Sequence, residues 1–499
     1  MYYYKNMDAD TGPSSSQIPD LIRIGAVSTD TAINVQTDLL DAVIFSQREA
    51  RFVLENKGIL HSNSRITLAT DGTGVPAGRS FFPANVGINS LIQRASLRVG
   101  TKTVCEIEDF ADFCAYETTF LPPDAIKERE QVMSGRFMSV QAQLQERSAS
   151  FAAGVSTESL TEAKSISIDN GKNALLLSDF GGTLHRPITS AAIPEVSGTI
   201  WDFQNEPNKP TFSILLADLF PFLKVNQLPL FMMSEQVSIH LTFTPIATSG
   251  LESKRVCVTN CDAVALTADA TITRNDCQMV ADYIFYPQEM MEQYRQQNST
   301  MTFNYVDYQF MKRTVSAAEY AAGLIQNVGG AGRIVNKVFV AVATDIGLAE
   351  SLLNDYVAGG PAVTAQTTGV VTTNIKYNDN FLYPVDVSND ARHYHNVFQS
   401  EGRVPYISRD LYRGEGRLAT DQTLTPGSVD FEGYDAEDNL QQRMFYTAYR
   451  MNKGERINSR GIELYDTRSG MPGTQTLRAW LQVMRMATLR DGVLEIAYA

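Results

Sequence analysis

The chain has 499 residues, 43% of them hydrophobic and 20% charged, with a formal net charge of −14 and a pI of about 5.0. That length exceeds one ordinary core and calls for two domains or more, and the composition is globular rather than disordered. The acidic balance disfavours direct binding to a nucleic-acid backbone. No run of 18 apolar residues exists, and even the most apolar region, 212–233, carries Asp218, Lys224, Asn226 and Gln227, so no membrane span is expected.

Residues 1–20 are polar, with Gly12, Pro13 and serines at 14–16, and read as a flexible arm. Tyr2, Tyr3 and Tyr4 in this arm fit a solvated tail, or a tether that orders beneath a neighbour on assembly. Leu21–Leu40 alternates loosely and offers a first strand or a contact arm. Arg51–Leu60 and Ile66–Thr70 are strand-like, and the Gly-rich stretch Asp71–Arg79 reads as a loop. Ser90–Cys105 predicts two strands with a tight turn at Gly100. Glu106–Tyr116, acidic and aromatic, and Pro123–Glu146 form the long helical tract of the first half. Residues 147–195, rich in Ser, Thr, Ala and Gly, read as an elaborated surface loop.

An apolar patch broken by prolines, Leu215–Met233, leads into the most regular strand of the chain. Val237, Ile239, Leu241 and Phe243 alternate there with Gln236, Ser238, His240 and Thr242, the period of a strand with one wet face. A strand ending at Tyr286, Pro287 at a helix start and a polar helix over Gln288–Gln297 follow. From Met301, Phe303, Tyr305 and Asp307 take one strand face and Val306, Tyr308 and Phe310 the other. Ile334–Thr344 reads as a central strand, and residues 345–373 and 412–440 as loops. A polar helix is expected near Asn389–Gln399. Gln442–Arg450, Gly461–Tyr465, Leu477–Met486 and Val493–Tyr498 close the chain as strands, the last with Leu494, Ile496 and Tyr498 on one face. Many strands, few long helices and no βαβ alternation point to all-β sandwiches. The two halves share a layout of strands, helix, strands, without evident residue identity.

Leu219–Leu223 (LFPFL), Leu228–Leu230 (LPL), the strand Gln236–Pro245 and the linker strand Asp282–Phe285 (DYIF) resemble, in that order, the segments joining the two halves of double jelly-roll major capsid proteins of DNA viruses. Leu91–Gly100, Ile457–Leu464 and Leu477–Tyr498 are similar to further strands of that family, so the likeness extends over most of residues 50–499. The family's double glycine is here Gly100 followed by Thr101, and its Asn-Tyr-Asn near the end is absent. These departures point away from the core nucleocytoplasmic large DNA viruses, toward polinton-like viruses, virophages or another divergent branch.

The resemblance implies an all-β chain of two consecutive eight-stranded antiparallel jelly-roll barrels, with short helices and long surface loops. It places an arm at 1–30, the first jelly roll at 31–287, a helical linker at 288–300 and the second jelly roll at 301–499. The implied function is that of a major capsid protein forming pseudo-hexagonal homotrimeric capsomers of an icosahedral double-stranded DNA virus shell. Expected partners are the chain itself, neighbouring capsomers, minor capsid, cement and penton proteins, and an internal membrane or inner protein layer met by the arm, with no direct nucleic acid. The expected location is the virion, after assembly in host cytoplasm or nucleus. Two alternatives stand beside it. A carbohydrate-binding or carbohydrate-active jelly roll would need clustered aromatics and paired carboxylates at one barrel mouth. A minor capsid or spike protein would differ in copy number.

The search for chemistry yields no catalytic, cofactor or metal residues and no cofactor. The N-terminus MYYYKNMDADTG lacks a secretory signal, so Cys105, Cys114, Cys257, Cys261 and Cys277 are read as reduced thiols of a cytosol-assembled protein. Cys257 and Cys261 form half of a zinc pattern with no second half. Among His61, His185, His240, His393 and His395, the pair His393/His395 with Asp386 and Asp390 is the strongest candidate metal site, weighed against a loop or surface-helix role. His240 is read as solvated or interfacial. The glycines of Asp71–Gly78 and Gly329–Gly332 lack the context and the Lys-Ser/Thr of a phosphate loop. Asn298-Ser299-Thr300 is the one N-glycosylation sequon, expected to be unmodified.

Overall fold

The computed structural model describes residues 34–69, 86–118, 211–244, 272–343, 371–388, 390–401, 446–451, 454–469 and 474–498, with short pieces at 130, 133–134, 257–258 and 268–269. The expected arm at 1–30, the loops at 147–195 and 412–440, and Cys261 and His185 lie outside these residues.

The first half runs β1 (Asn34–Asp41), β2 (Ile44–Phe45), β3 (Glu49–Leu54), β4 (Ile59–Leu60), β5 (Arg65–Ala69), β6 (Ile92–Val99) and β7 (Lys102–Glu108) into helix α1 (Phe110–Thr118). It continues through β8 (Thr211–Leu215), α2 (Leu216–Leu219), α3 (Pro221–Val225), β9 (Val237–Phe243), β10 (Cys257–Val258), β11 (Ala268–Asp269) and β12 (Cys277–Phe285). Helix α4 (Gln288–Gln297) separates it from the second half, with Pro287 just ahead of the helix rather than inside it. There follow β13 (Thr300–Val315), α5 (Ala317–Ala322), β14 (Leu324–Gly329), β15 (Val335–Ala343), β16 (Val371–Tyr377) and β17 (Asn380–Phe381). Helix α6 (Asp390–Glu401), β18 (Tyr446–Arg450), β19 (Ile462–Arg468), β20 (Gln475–Arg490) and β21 (Val493–Tyr498) complete the chain.

The strand order repeats. One sheet of the first half is β1-β12-β5-β8, and the corresponding sheet of the second is β13-β20-β15-β18. The opposing sheets are β3-β9-β6-β7, extended by β2, and β14-β19-β16-β17. Taking the eight main strands of each half in order, both halves read first-eighth-third-sixth and second-seventh-fourth-fifth. That is the jelly roll, present twice. The named strand pairs are antiparallel, and among the described residues none crosses between 34–285 and 300–498. No sheet closes on itself among the described residues, so each half is a two-sheet sandwich around its own buried side chains.

Alternation places those side chains. Val237, Ile239, Leu241 and Phe243 are buried opposite Phe52, Leu97 and their neighbours, as the period of two requires. In the second half Val338, Val340, Val342, Ile462, Leu464, Leu477 and Leu481 fill the equivalent space. The final strand departs from expectation. Leu494 is buried but Tyr498 is 43% exposed, because β21 pairs only with the outer end of β20. Of the loop expected over 345–373, residues 371–373 belong to β16 and residues 345–370 lie outside the described residues.

Turn chemistry fixes two junctions. Asp491 and Gly492 both have positive φ, 50° and 82°, the geometry that lets a two-residue turn follow strand twist between β20 and β21. Gly461 opens β19 at φ 76°, and a Cβ there would stand 2.7 Å from the carbonyl oxygen of Gly329. Gly461→Ala is therefore expected to cost roughly 1–3 kcal/mol in chemical unfolding, from backbone strain and displacement of the β14–β19 junction. An unchanged midpoint would contradict that geometry.

Candidate functional site

The densest chemistry in the fold lies where the two halves meet. Helix α1 starts immediately after Asp109, a non-glycine residue at φ 46° that turns the chain from β7 into the helix. Aspartate tolerates this left-handed conformation better than most side chains. The helix then presents Phe113 and Tyr116 to the outer face of the β13-β20-β15-β18 sheet. Phe113 lies 4.7 Å from Tyr308 and 5.8 Å from Phe339, centroid to centroid. Tyr116 stacks on Phe339 at 4.0 Å, and Phe339 in turn stacks on Trp480 at 5.0 Å. Trp480 is fully buried, and its Nε1 donates to the Glu108 carbonyl at 3.0 Å. Farther along, Phe222 of α3 packs edge-on against Phe303 and Tyr305 of β13.

Charges are interleaved with these rings. Arg478, 1% exposed at its side chain, lies 3.0 Å from Asp109 and 3.4 Å from Asp112. Asp112 sits in the first turn of α1, where a carboxylate is favoured by the helix dipole. Lys337 holds Glu401 at 2.6 Å, and the Tyr116 hydroxyl donates to the same carboxylate. Asp307 accepts from the Glu106 N–H at 3.1 Å and from Arg485 at 2.6 Å, while Arg485 also donates to the Val104 carbonyl at 2.9 Å. The β20–β21 hairpin reaches back as well: Lys102 donates to the Leu494 carbonyl at 2.8 Å, and the Ser234 N–H to that of Gly492. These bonds tie sequence-distant strands together so that one half cannot rotate against the other without exposing rings and unpairing charges.

Burial pushes the Asp307 carboxyl up to about 6, against the pull of Arg485 and the Glu106 N–H. The folded chain therefore holds this proton more tightly than the unfolded chain, whose aspartate has its ordinary value near 3.8. Stability linked to this group is lower at neutral pH and rises as pH falls from about 6 toward 4. The stability of the native chain relative to Asp307→Asn should accordingly grow across that window in urea unfolding at stepped pH. A pH-independent difference would show that Asp307 does not titrate there.

The residues weighed from sequence fall elsewhere. Cys105, Cys114 and Cys277 are buried, and burial pushes the Cys277 thiol up to about 12. Cys257 lies on β10. His393 is not on a surface: it is 1% exposed, with Nε2 3.2 Å from the Val371 carbonyl, while His395 on the same helix points to solvent. The correction has a simple cause. His393, Asn396 and Val397 share the inward stripe of α6, and position 395 falls on the opposite side. Asp386 accepts from Asn374. Among the described residues no group of three His, Cys, Asp or Glu is placed to hold a metal. His240 is half-buried beside Ser238, and burial together with Arg98, Arg51 and Arg94 holds it down to about 4, so it is neutral at pH 7. Asn298 caps the end of α4, its Nδ2 bonded to the Tyr294 carbonyl.

Sequence reasoning passed over Asp109, Asp307, Arg478, Arg485 and Trp480 as a set. The available signal was Arg478 and Arg485 in the strand that carries Leu477, Trp480, Leu481 and Val483, with an acidic-aromatic stretch at 106–116 to meet them.

No family model matches the chain, and no curated protein matches it. Solved structures do. The capsid of the virus PBCV-1 aligns at TM-score 0.50 and 10% identity, over 95% of this chain and 98% of that one. The mavirus major capsid protein aligns at 0.49 and 10% identity, over 100% and 94%. The Sputnik virophage structure aligns at 0.48 and 9% identity, over 93% and 88%. The alignment with the PBCV-1 capsid runs through nearly the whole of both chains and shows a shared fold. The chain has the double jelly-roll fold of viral major capsid proteins, in agreement with the strand order repeated in its two halves.

Proposed function

We propose that this chain is a major capsid protein whose trimers form pseudo-hexagonal capsomers of an icosahedral double-stranded DNA virus shell. The observation that carries the reading is the double jelly roll itself: one strand order used twice in one chain, with the two copies locked by a buried aromatic and ionic seam. Two similar units per chain and three chains give six similar units, the shape needed to tile a facet. A closed ring of heterologous contacts leaves no growing edge. On this reading residues 31–287 and 301–499 are the two jelly rolls, 288–300 the linker and 1–30 an arm directed at an inner layer or membrane. The protein acts by shape, with no enzymatic step, and resides in the virion. Cement, minor capsid and penton proteins are its further partners.

Purified protein is expected to give a mass three times 55.2 kDa in light scattering. Particles should contain it in more copies than any other shell component. A stable monomer at micromolar concentration, together with low copy number, would overturn the reading in favour of a minor component.

A further inference from the structure

The outer face of strands β3, β9 and β6 runs against the acidic character of the chain. Register sets Arg51 of β3 opposite His240 of β9, while Arg94 and Arg98 of β6 stand opposite Thr242 and Ser238, one on each side of the His240 row. Paired residues share a face, so the three arginines surround His240 on the side of the sheet away from Ile239, Leu241 and the core. They and His240 are half-buried, and Ser238 beneath them is 2% exposed. Arg94 donates to the Thr242 hydroxyl at 3.4 Å, and His240 Nε2 lies 3.1 Å from Ser238 Oγ. The Nε–H groups of Arg51 and Arg98 are closed to solvent and reach no acceptor. Glu49, Glu106 and Glu108 share this face, opposite Thr242, Ser96 and Arg94. Among the described residues, however, no carboxylate comes within ion-pair distance of the three arginines. The fold does not demand such a cluster. On the corresponding face of the second half, Ile325 stands opposite Tyr465 and Thr372 opposite Thr467, and the cation there, Lys376, is set opposite Glu463. Like charges held together with unmet buried donors are unfavourable unless a negative group meets them.

We propose that Arg51, Arg94 and Arg98 bind a free tetrahedral oxyanion of two charges, the class of inorganic sulfate and phosphate, above His240. Positions four apart on one strand are about 13 Å apart, and Arg51 faces the gap between Arg94 and Arg98 from two strands away, about 10 Å. Long side chains can close that triangle on one small ion. Each guanidinium is a planar fork of donors made for oxyanions. Three forks arriving from three directions suit an ion with acceptors on every side, whereas a planar carboxylate is filled by one fork. The bound ion offsets the repulsion among the arginines and ties β3 to β6 across β9, so it stabilises the first half. The site lies within one sheet of one half and does not depend on how copies of the chain assemble.

Sodium sulfate titrated into the purified protein, with sodium chloride holding ionic strength constant, should show saturable binding of one ion per chain. The melting temperature should rise with sulfate concentration and not with the matched chloride. Arg51→Gln/Arg98→Gln should weaken sulfate binding by roughly tenfold or more with circular dichroism unchanged. Arg490→Gln, at a side chain 71% exposed in the second half, should leave binding as it was. A readout on the unaltered protein separates an anion site from arginines that merely pack. With histidine isotope-labelled and the His240 signal assigned through His240→Gln, its titration midpoint should climb from about 4 toward the ordinary 6.5 as sulfate saturates, because the dianion favours the imidazolium that the arginines disfavour. A midpoint that stays put, an equal response to chloride, or full binding by the double variant overturns the site. Vesicles of phosphatidylcholine with phosphatidic acid distinguish the free ion from the same chemistry carried on a lipid. Capture by those vesicles without saturable sulfate binding also overturns it.

Discussion

Trp480→Ala is expected to destabilise the fold by about 3–5 kcal/mol, the range for deleting a large aromatic from a well-packed core. Trp480 is fully buried, stacked on Phe339 at 5.0 Å and set 5.2 Å from Phe310. Its removal leaves a void between the sheet and α1, and the Glu108 carbonyl loses the Nε1 donor at 3.0 Å. The void cannot close easily, because Phe113 and Tyr116 are held on a helix whose ends are anchored by Asp109 and by the Tyr116–Glu401 bond. Trp480→Phe keeps most of the area and should recover more than half of the loss. Because the ring belongs to the seam and not to the interior of either sandwich, the alanine variant should also unfold less cooperatively, with one half melting before the other in calorimetry. A loss below about 1 kcal/mol with a single sharp transition would show that the halves do not depend on this contact.

The elements were legible where a local rule sets them. The alternation at 237–243, the turn at Gly100 and the helix near 389–399 follow from side-chain period and turn chemistry, and each has its counterpart in β9, the β6–β7 junction and α6. The strand pairing was not legible from residues alone. Asn34 of β1 pairs with Phe285 of β12, a contact closed across nearly the whole first half, and nothing in either segment names the other. The jelly-roll order came instead from the resemblance of ordered segments, and the register from the fold. The seam was hidden for the same reason. Arg478 and Asp109 stand 369 positions apart, and a charged residue in a strand reads as a wet-face residue until its partner is known. His393 shows the converse error: a residue type associated with surfaces and metals lies on the buried stripe of its helix, held by a backbone carbonyl.

Arg478→Ala is expected to cost about 3–5 kcal/mol, because it removes one side of a buried charge cluster and leaves the other. The guanidinium is 1% exposed and faces Asp109 and Asp112, each 11% exposed at its side chain. Lys312, 3.4 Å from Asp109 but 41% exposed, is solvated and compensates little of the buried charge. Without Arg478 two like charges remain together in a poorly hydrated site, and the start of α1 must open to hydrate them. The loss therefore lies in the stranded carboxylates more than in the arginine. That distinction is measurable. Arg478→Met combined with Asp109→Asn and Asp112→Asn removes the charges together and keeps much of the volume, so it should be considerably more stable than Arg478→Ala alone. If the triple variant proves no better than the single one in urea unfolding, the arginine contributes by packing and its own hydrogen bonds, and the charge argument fails. If it recovers most of the loss, the ion cluster fixes how α1 seats on the second half rather than supplying net stability. The position of that helix, and with it the angle between the halves, would then be the property the buried charges maintain.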